Sequence, residues 1–261
     1  MGALHAGHES LIEAAKQRCD VVIVTIFVNP RQFDGALDLA AYPRTQEADL
    51  ATCERLGADF VVTPALGEMW PNYPAPTATT VSVAGISETF EGAQRPGHFD
   101  GVASVVAKIF AVTGECTAFF GEKDFQQLAV IRQMVRDLAL AVTVMGCPIV
   151  RDDDGLALSS RNARLSIDGR RRALGLSRAL GLLAESPALN AEDARALMNN
   201  TLLEDGVEVA YAEVVNELTL EPFRRNEQGQ ARAIIAGIVD GVRLLDNGPV
   251  TIVSAPGVTC C

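Results

Sequence analysis

Two hydrophobic rhythms alternate along this chain. Leu11, Ile12, Ala15 and Cys19 recur at helical spacing, which predicts a helix over 9–19 with one dry face, ended by Asp20. Val21 to Val28 then runs apolar and β-branched almost without a break, the pattern of a strand buried on both faces of a parallel sheet, and Asn29-Pro30 stops it. The alternation repeats: a helix over 45–56, a short strand over 60–63, an apolar helix over 102–112, a strand over 118–120, an amphipathic helix over 124–138 and a strand over 142–150. Residues 65–100 interrupt it, with four prolines between Pro71 and Pro96 and one apolar-alternating piece over 79–83. Helices alternating with apolar strands predict an α/β fold, a doubly wound parallel sheet of Rossmann-like form with right-handed crossovers. Ligands of such sheets gather at the carboxyl ends of the strands.

The pattern changes after Val150. A charged turn (Arg151 to Gly155) and a polar loop (Leu156 to Asn162) lead into helical spacing over 167–184 and 191–203, then strand-like runs over 207–215, 231–239 and 250–254. This predicts two domains: 1–149, a Rossmann-like ligand-binding domain, and 150–261, a smaller C-terminal α+β domain that closes over the first as a lid. No internal repeat or low-complexity segment breaks either part.

Composition narrows the partners. With 261 residues, 48% of them hydrophobic, the chain has a sizeable core to bury. Twenty-two basic against thirty-three acidic residues leave a net charge of −11 without a basic block, which argues against nucleic-acid binding. The longest apolar run, Val21 to Val28, contains Thr25 and is far short of the roughly 20 residues that span a bilayer. A soluble protein without membrane attachment or signal peptide is expected, because polar residues begin at His5. Six cysteines lack any Cys-x-x-Cys spacing and read as reduced thiols of a cytoplasmic protein, with Cys260-Cys261 an unstructured tail. Asp152-Asp153-Asp154 reads as a solvated turn, and no residue is assigned as a metal ligand.

Candidate chemistry starts at the first residues. His5-Ala6-Gly7-His8 stands where the first helix begins, and the N–H groups of a helix start have no partners inside the helix and attract anions. Gly7 lets a ligand approach the backbone, and both histidines can offer ring N–H donors to a phosphate. Three later clusters fit the same ligand. Asn29-Pro30-Arg31-Gln32-Phe33 follows a strand, and Gln32 both donates and accepts, as a hydroxy-acid requires. In Gly121-Glu122-Lys123-Asp124-Phe125-Gln126-Gln127, Asp124 is a candidate helix N-cap, while Lys123 lies at the helix end that disfavours a cation unless an anion is bound there. Leu158-Ser159-Ser160-Arg161-Asn162 offers two hydroxyls and a guanidinium that can grip phosphate. Each cluster alone also fits a cap, a turn or a solvated loop. His98 reads as a structural loop residue, and Tyr42 and Arg44 either line the pocket or brace the loop.

Together these pieces resemble the pantoate–β-alanine ligase family of the HxGH nucleotidyl-transferring superfamily. The resemblance runs through residues 1–8, Ile26 to Phe33, Asp38 to Thr45, Arg95 to Val102, Gly121 to Leu128 and Gly155 to Asn162, in order and in register, and Arg243 to Asn247 looks like the family's late strand, so that the likeness covers nearly the whole chain. It implies ATP as substrate with Mg2+, bound along Met1, Gly2, Ala3, Leu4, His5, Ala6, Gly7, His8, Gly121, Glu122, Lys123, Asp124, Val150, Leu158, Ser159, Ser160 and Arg161. It implies pantoate against Gln32 and Gln127, β-alanine near Gln32, His8 as the active-site acid, and a homodimer. Two features depart from the family: its first strand has no counterpart in the four residues before His5, and Leu158 stands where relatives also carry methionine.

The residues themselves suit adenylation. Pantoate's carboxylate is already a nucleophile at neutral pH, so its attack on the α-phosphorus of ATP needs alignment and charge stabilisation, for which His5, His8, Lys123 and Arg161 are the candidates. The pantoyl-adenylate would be shielded from water until the β-alanine amine expels AMP. Two rivals remain at this level: an HxGH nucleotidyltransferase that stops at adenylyl transfer, and an inactive or binding-only homologue shortened at its N-terminus.

Overall fold

In the computed structural model, which describes residues 1–33, 35–186 and 189–254, the Cys260-Cys261 tail lies outside the described residues. The chain divides into two units, Met1–Val150 and Arg151–Cys261.

The first unit opens on α1 (Ala6–Lys16), which begins three residues earlier than the apolar spacing predicts. The reason is local: the His5 side chain caps the helix, whereas hydrophobic spacing registers only the buried Ile12 and Ala15. β1 (Ile23–Thr25) follows, then the short helices α2 (Ala36–Ala41) and α3 (Gln46–Arg55), then β2 (Phe60–Val62), which pairs parallel with β1 from Ile23↔Phe60 to Thr25↔Val62. Val22, Val24 and Ile26 are buried with Ile12 and Ala15 of α1 and Cys53 of α3. Val21, Ile23, Phe60 and Val62 are 57, 46, 61 and 44% exposed. The expected burial on both faces is therefore corrected: α1 and α3 dry one face of this pair, and the alternate side chains stay exposed.

The stretch expected to be irregular contains two single-turn helices, α4 (Leu66–Met69) and α5 (Glu91–Gln94). The alternating piece over 79–83 forms no strand; the Val81 N–H donates instead to Ser104 Oγ at 2.9 Å. α6 (His98–Thr113), β3 (Cys116–Gly121), α7 (Phe125–Asp137) and β4 (Val142–Cys147) complete the unit, and β3 and β4 pair parallel over six residues. The described strands thus form two parallel pairs rather than one continuous sheet. On the edge of β1, Met1 makes a single rung: its nitrogen donates to the Thr25 carbonyl at 3.0 Å and its carbonyl accepts from Phe27 at 2.9 Å. That exchange is the parallel-ladder pattern, and it sets the start of the chain beside the end of β1.

The second unit packs α8 (Ile167–Glu185) and α9 (Ala191–Glu204) on an antiparallel sheet of β5 (Glu208–Val215), β6 (Gly229–Val239) and β7 (Val242–Ile252). Its core includes Leu176, Met198, Leu202, Val214, Ile235 and Ile252. Asp240 and Gly241, at φ 53° and 71°, make the tight turn from β6 to β7. β7 begins eight residues before the apolar run over 250–254, because Arg243, Asp246 and Asn247 interrupt its hydrophobic pattern, and it takes in Arg243 to Asn247, the late strand that the resemblance implied. Asp246 and Asn247 are nonetheless buried, each with a guanidinium as partner. Among the described residues no helix is long and apolar enough to cross a membrane.

Candidate active site

The residues before α1 form a compact hydrogen-bonded loop. His5 is extended (φ −138°, ψ 173°), and its Nδ1 accepts the Gly7 N–H at 3.2 Å. The His5 N–H in turn donates to Nδ1 of His8 at 3.4 Å, and the two rings lie 4.1 Å apart. Because each Nδ1 accepts a backbone proton, each imidazole carries its own proton on Nε2. Burial, followed by the neighbouring His5, lowers the His8 pKa to about 3. At neutral pH His8 is therefore an uncharged hydrogen-bond donor, and an acid role would require a bound anion to raise its basicity.

This geometry changes the inventory of donors. The Gly7 N–H is taken by His5, and the Ala3 and Leu4 N–H groups donate to Asp49 Oδ2 and Oδ1 at 2.9 and 2.8 Å. Gly2 packs tightly, since a Cβ there would meet Val28 Cγ2 at 3.0 Å. Tyr42 reaches the Gly2 carbonyl through its hydroxyl at 3.5 Å and stacks edge-on against Phe33, so it braces the loop; Arg44 turns to the Leu39 carbonyl.

β3 delivers the second segment. Glu122–Asp124 is a single 3-10 turn between β3 and α7, and Lys123 Nζ lies 3.4 Å from Asp124 Oδ1. Asp124 stands at the N-cap position of α7 but makes no side-chain cap bond, which corrects the capping role expected for it. Asp124 and Lys123 push the His8 pKa in opposite directions, up and down respectively, as their charges require at close range. The structure thus brings His5, His8, Lys123 and Asp124 together from segments more than a hundred residues apart.

Gln32 ends the 3-10 turn Pro30–Gln32, capped by Asn29. Asn29 is buried and fully engaged: Oδ1 accepts from the Arg31 N–H (3.2 Å) and Trp70 Nε1–H (2.9 Å), and Nδ2 donates to Gln32 Oε1 (3.2 Å) and the Gly101 carbonyl (3.0 Å). The Gln32 carbonyl accepts from Arg95 at 3.1 Å and lies 2.7 Å from His98 Nδ1, so His98, which opens α6 rather than lying in a loop, holds the backbone of the turn. On α7, Gln127 is half-buried, while its neighbour Gln126 is buried and latches the 86–91 loop through the Ile86 and Thr89 carbonyls and the Glu91 N–H. Asn29, Asp49 and Gln126 were not singled out from the sequence.

In the second unit, Ser159 Oγ caps the 3-10 turn Ser160–Arg164 by accepting the Arg161 N–H at 3.2 Å, and Asn162 donates to the Ala157 carbonyl at 3.0 Å. Leu158, Ser160 and Arg161 lie half-buried on the same segment. At its base Arg151 grips Asp246 through two nitrogens at 2.6 and 2.8 Å and donates to the Gly155 carbonyl at 3.0 Å. Asp152 and Asp154 both bind Arg170, at 2.6 and 2.7 Å, so this turn is ion-paired rather than merely solvated. Among the described residues no group of three or more His, Cys, Asp or Glu side chains could hold a metal ion.

The family model described as Pantoate-beta-alanine ligase matches residues 1–249. A pantothenate synthetase of Cereibacter sphaeroides is 51% identical over 96% of this chain and 89% of its own length, and one of Chelativorans sp. is 51% identical over 96% and 88%. The crystal structure of pantothenate synthetase from Thermus thermophilus superposes with a TM-score of 0.87 at 42% identity, covering 95% of this chain and 90% of that one. The ligase from Francisella tularensis, solved with beta-gamma ATP and β-alanine, gives 0.75 at 32% identity over 95% and 86%.

Proposed function

The chain belongs to the pantoate–β-alanine ligase family, and from that premise we propose that residues 1–8 and 121–124 bind the phosphates of ATP while Gln32 and Gln127 bind pantoate. The activity is ATP-dependent ligation of pantoate to β-alanine, a step of pantothenate biosynthesis. The observation that carries the site reading is the pair of imidazoles with Nδ1 committed to the backbone, leaving Nε2–H as the ring donor, beside the Lys123 ammonium.

The chemistry follows from the reactants. A carboxylate oxygen of pantoate attacks the α-phosphorus of ATP, and the bond to the β,γ-diphosphate breaks, giving pantoyl-adenylate and pyrophosphate. The β-alanine amine then adds to the acyl carbonyl, loses a proton and displaces AMP. The pantoate carboxylate is already a nucleophile at neutral pH, so in this first step the residues act by alignment and by stabilising charge that grows on phosphate oxygens, whereas the β-alanine amine attacks in its unprotonated form. Neutral His5 and His8 donate through Nε2–H, Lys123 adds positive charge, and Gln32 orients the pantoate. Val150, Leu158, Ser159, Ser160 and Arg161 enter this reading through the family motifs, with Arg161 as a further phosphate ligand. Mg2+ in this reading enters with ATP, held by the phosphate oxygens. We further propose a cytoplasmic homodimer, which light scattering at twice 27.7 kDa would test.

The experiment is pyrophosphate release. Wild-type protein should release pyrophosphate only when both ATP and pantoate are present, and AMP should appear with pantothenate once β-alanine is added. Lys123→Ala should slow the first step by about 10² to 10³, the usual cost of one transition-state donor. Release that ignores pantoate, or an unchanged Lys123→Ala rate, would overturn the assignment.

A further inference from the structure

Asp49 is 2% exposed and sits one turn inside α3, where a negative charge is favoured by the helix dipole. Its carboxylate is satisfied by the Ala3 N–H at 2.9 Å, the Leu4 N–H at 2.8 Å and the Thr45 hydroxyl at 3.0 Å. Two of these come from a loop more than forty residues away. Ala3 has φ 51°, a left-handed conformation that strains a non-glycine residue and persists only where its surroundings enforce it. The next residues after this strained turn are Leu4 and His5, whose ring and backbone bonds set both imidazole tautomers.

We propose that Asp49 is the positioning residue of the phosphate loop: by holding the Ala3 and Leu4 N–H groups it enforces the turn at Ala3 and, through His5, fixes the two-histidine arrangement. A carboxylate suits the task because both of its oxygens accept. A carboxamide keeps one acceptor and turns an NH2 group towards the other N–H. The inference rests on reading residues 1–8 as the ATP-phosphate site, and its test has one arm that needs no ATP.

The chain has three histidines, so imidazole nitrogen NMR resolves them all. In the wild type, His5 and His8 should show the Nε2–H tautomer, whereas His98, with Nδ1 2.7 Å from the Gln32 carbonyl, should show Nδ1–H and serves as internal reference. In folded Asp49→Asn, His5 and His8 should lose the single-tautomer signature while His98 keeps its own, and KM for ATP should rise at least tenfold with KM for pantoate within twofold. Unchanged tautomers, or equal changes in both KM values, would overturn the proposal. Lost tautomers with unchanged ATP constants would uphold the clamp and overturn instead the phosphate assignment of residues 1–8. Should Asp49→Asn not fold, Thr45→Val, which removes only the hydroxyl donor, decides: partial tautomer mixing with a two- to fivefold rise in KM for ATP upholds it, and wild-type behaviour overturns it.

Discussion

The buried side-chain amide of Asn29 donates to Gln32 Oε1 at 3.2 Å, so the glutamine oxygen is occupied and its NH2 group is the end left to meet a ligand. A donor in that position suits the carboxylate and hydroxyl oxygens of pantoate.

Asn29→Ala removes that constraint and also strands Trp70 Nε1–H and the Arg31 N–H. Unsatisfied buried groups cost roughly 1–3 kcal/mol each, so a stability loss of about 3 kcal/mol is expected, together with at least a tenfold rise in KM for pantoate. Trp70 is the only tryptophan, so its fluorescence reports both the local change and the urea unfolding curve. A wild-type pantoate constant in the folded variant would separate Asn29 from the orientation of Gln32.

His8 carries a pH signature. In the unfolded chain it titrates near 6.5, and in the folded protein burial and His5 hold it at about 3. Between those values the unfolded state binds the extra proton, so stability falls as the pH drops from 6.5 towards 3. The slope is limited to one proton, about 1.4 kcal/mol per pH unit at most. His8→Gln should flatten the acid limb of stability against pH, measured by denaturant titration at intervals from pH 7 to 4. If both proteins lose stability in parallel, His8 is not held neutral.

The Arg151–Asp246 pair should respond asymmetrically. The Asp246 side chain is 2% exposed and that of Arg151 32%, so what matters is which partner is stranded. Arg151→Ala leaves a buried carboxylate with the Asn247 N–H as its remaining donor and should cost about 3 kcal/mol. Asp246→Ala leaves a guanidinium that water reaches and should cost about 1 kcal/mol. Denaturant midpoints in the opposite order would refute this account of the pair.

The sequence was most legible where one rule acted alone. Apolar spacing announced α8 and α9. It was least legible where a polar residue serves a distant backbone. An acidic residue in a helix's first turns ordinarily reads as a solvated partner of the dipole, so nothing local announces that Asp49 is buried against Ala3 and Leu4. Asp246 hid the first part of β7 from the hydrophobic pattern for the same reason, its partner Arg151 being 95 residues away, and only the family motif marked Arg243 to Asn247 as a strand. Gln126 carried a usable signal. It precedes the buried Ala129 and Val130 by three and four residues and so lies on the dry stripe of α7, whereas the motif drew attention to Gln127. β1 misled in the other direction, since a β-branched run marks strand propensity but does not say how many faces neighbours will cover.

Gly101 gives the sharpest test of how Gln32 is held. It lies in the interior of α6, where exchanging glycine for alanine ordinarily stabilises a helix by about 1 kcal/mol. A Cβ there would meet the Arg31 carbonyl oxygen at 2.2 Å, its carbon at 2.6 Å and the Gln32 nitrogen at 3.0 Å. These are main-chain atoms that no rotamer change can move, so the Pro30–Gln32 turn would have to shift away from α6 and break the Asn29 bond to the Gly101 carbonyl. Gly101→Ala should therefore lower Tm and raise KM for pantoate at least tenfold. Gly181→Ala in α8, where an added Cβ meets nothing within 4 Å, should show the ordinary helix gain and unchanged kinetics. If Gly101→Ala folds and keeps its pantoate constant, the close approach of α6 to the turn is not what sets Gln32 in register.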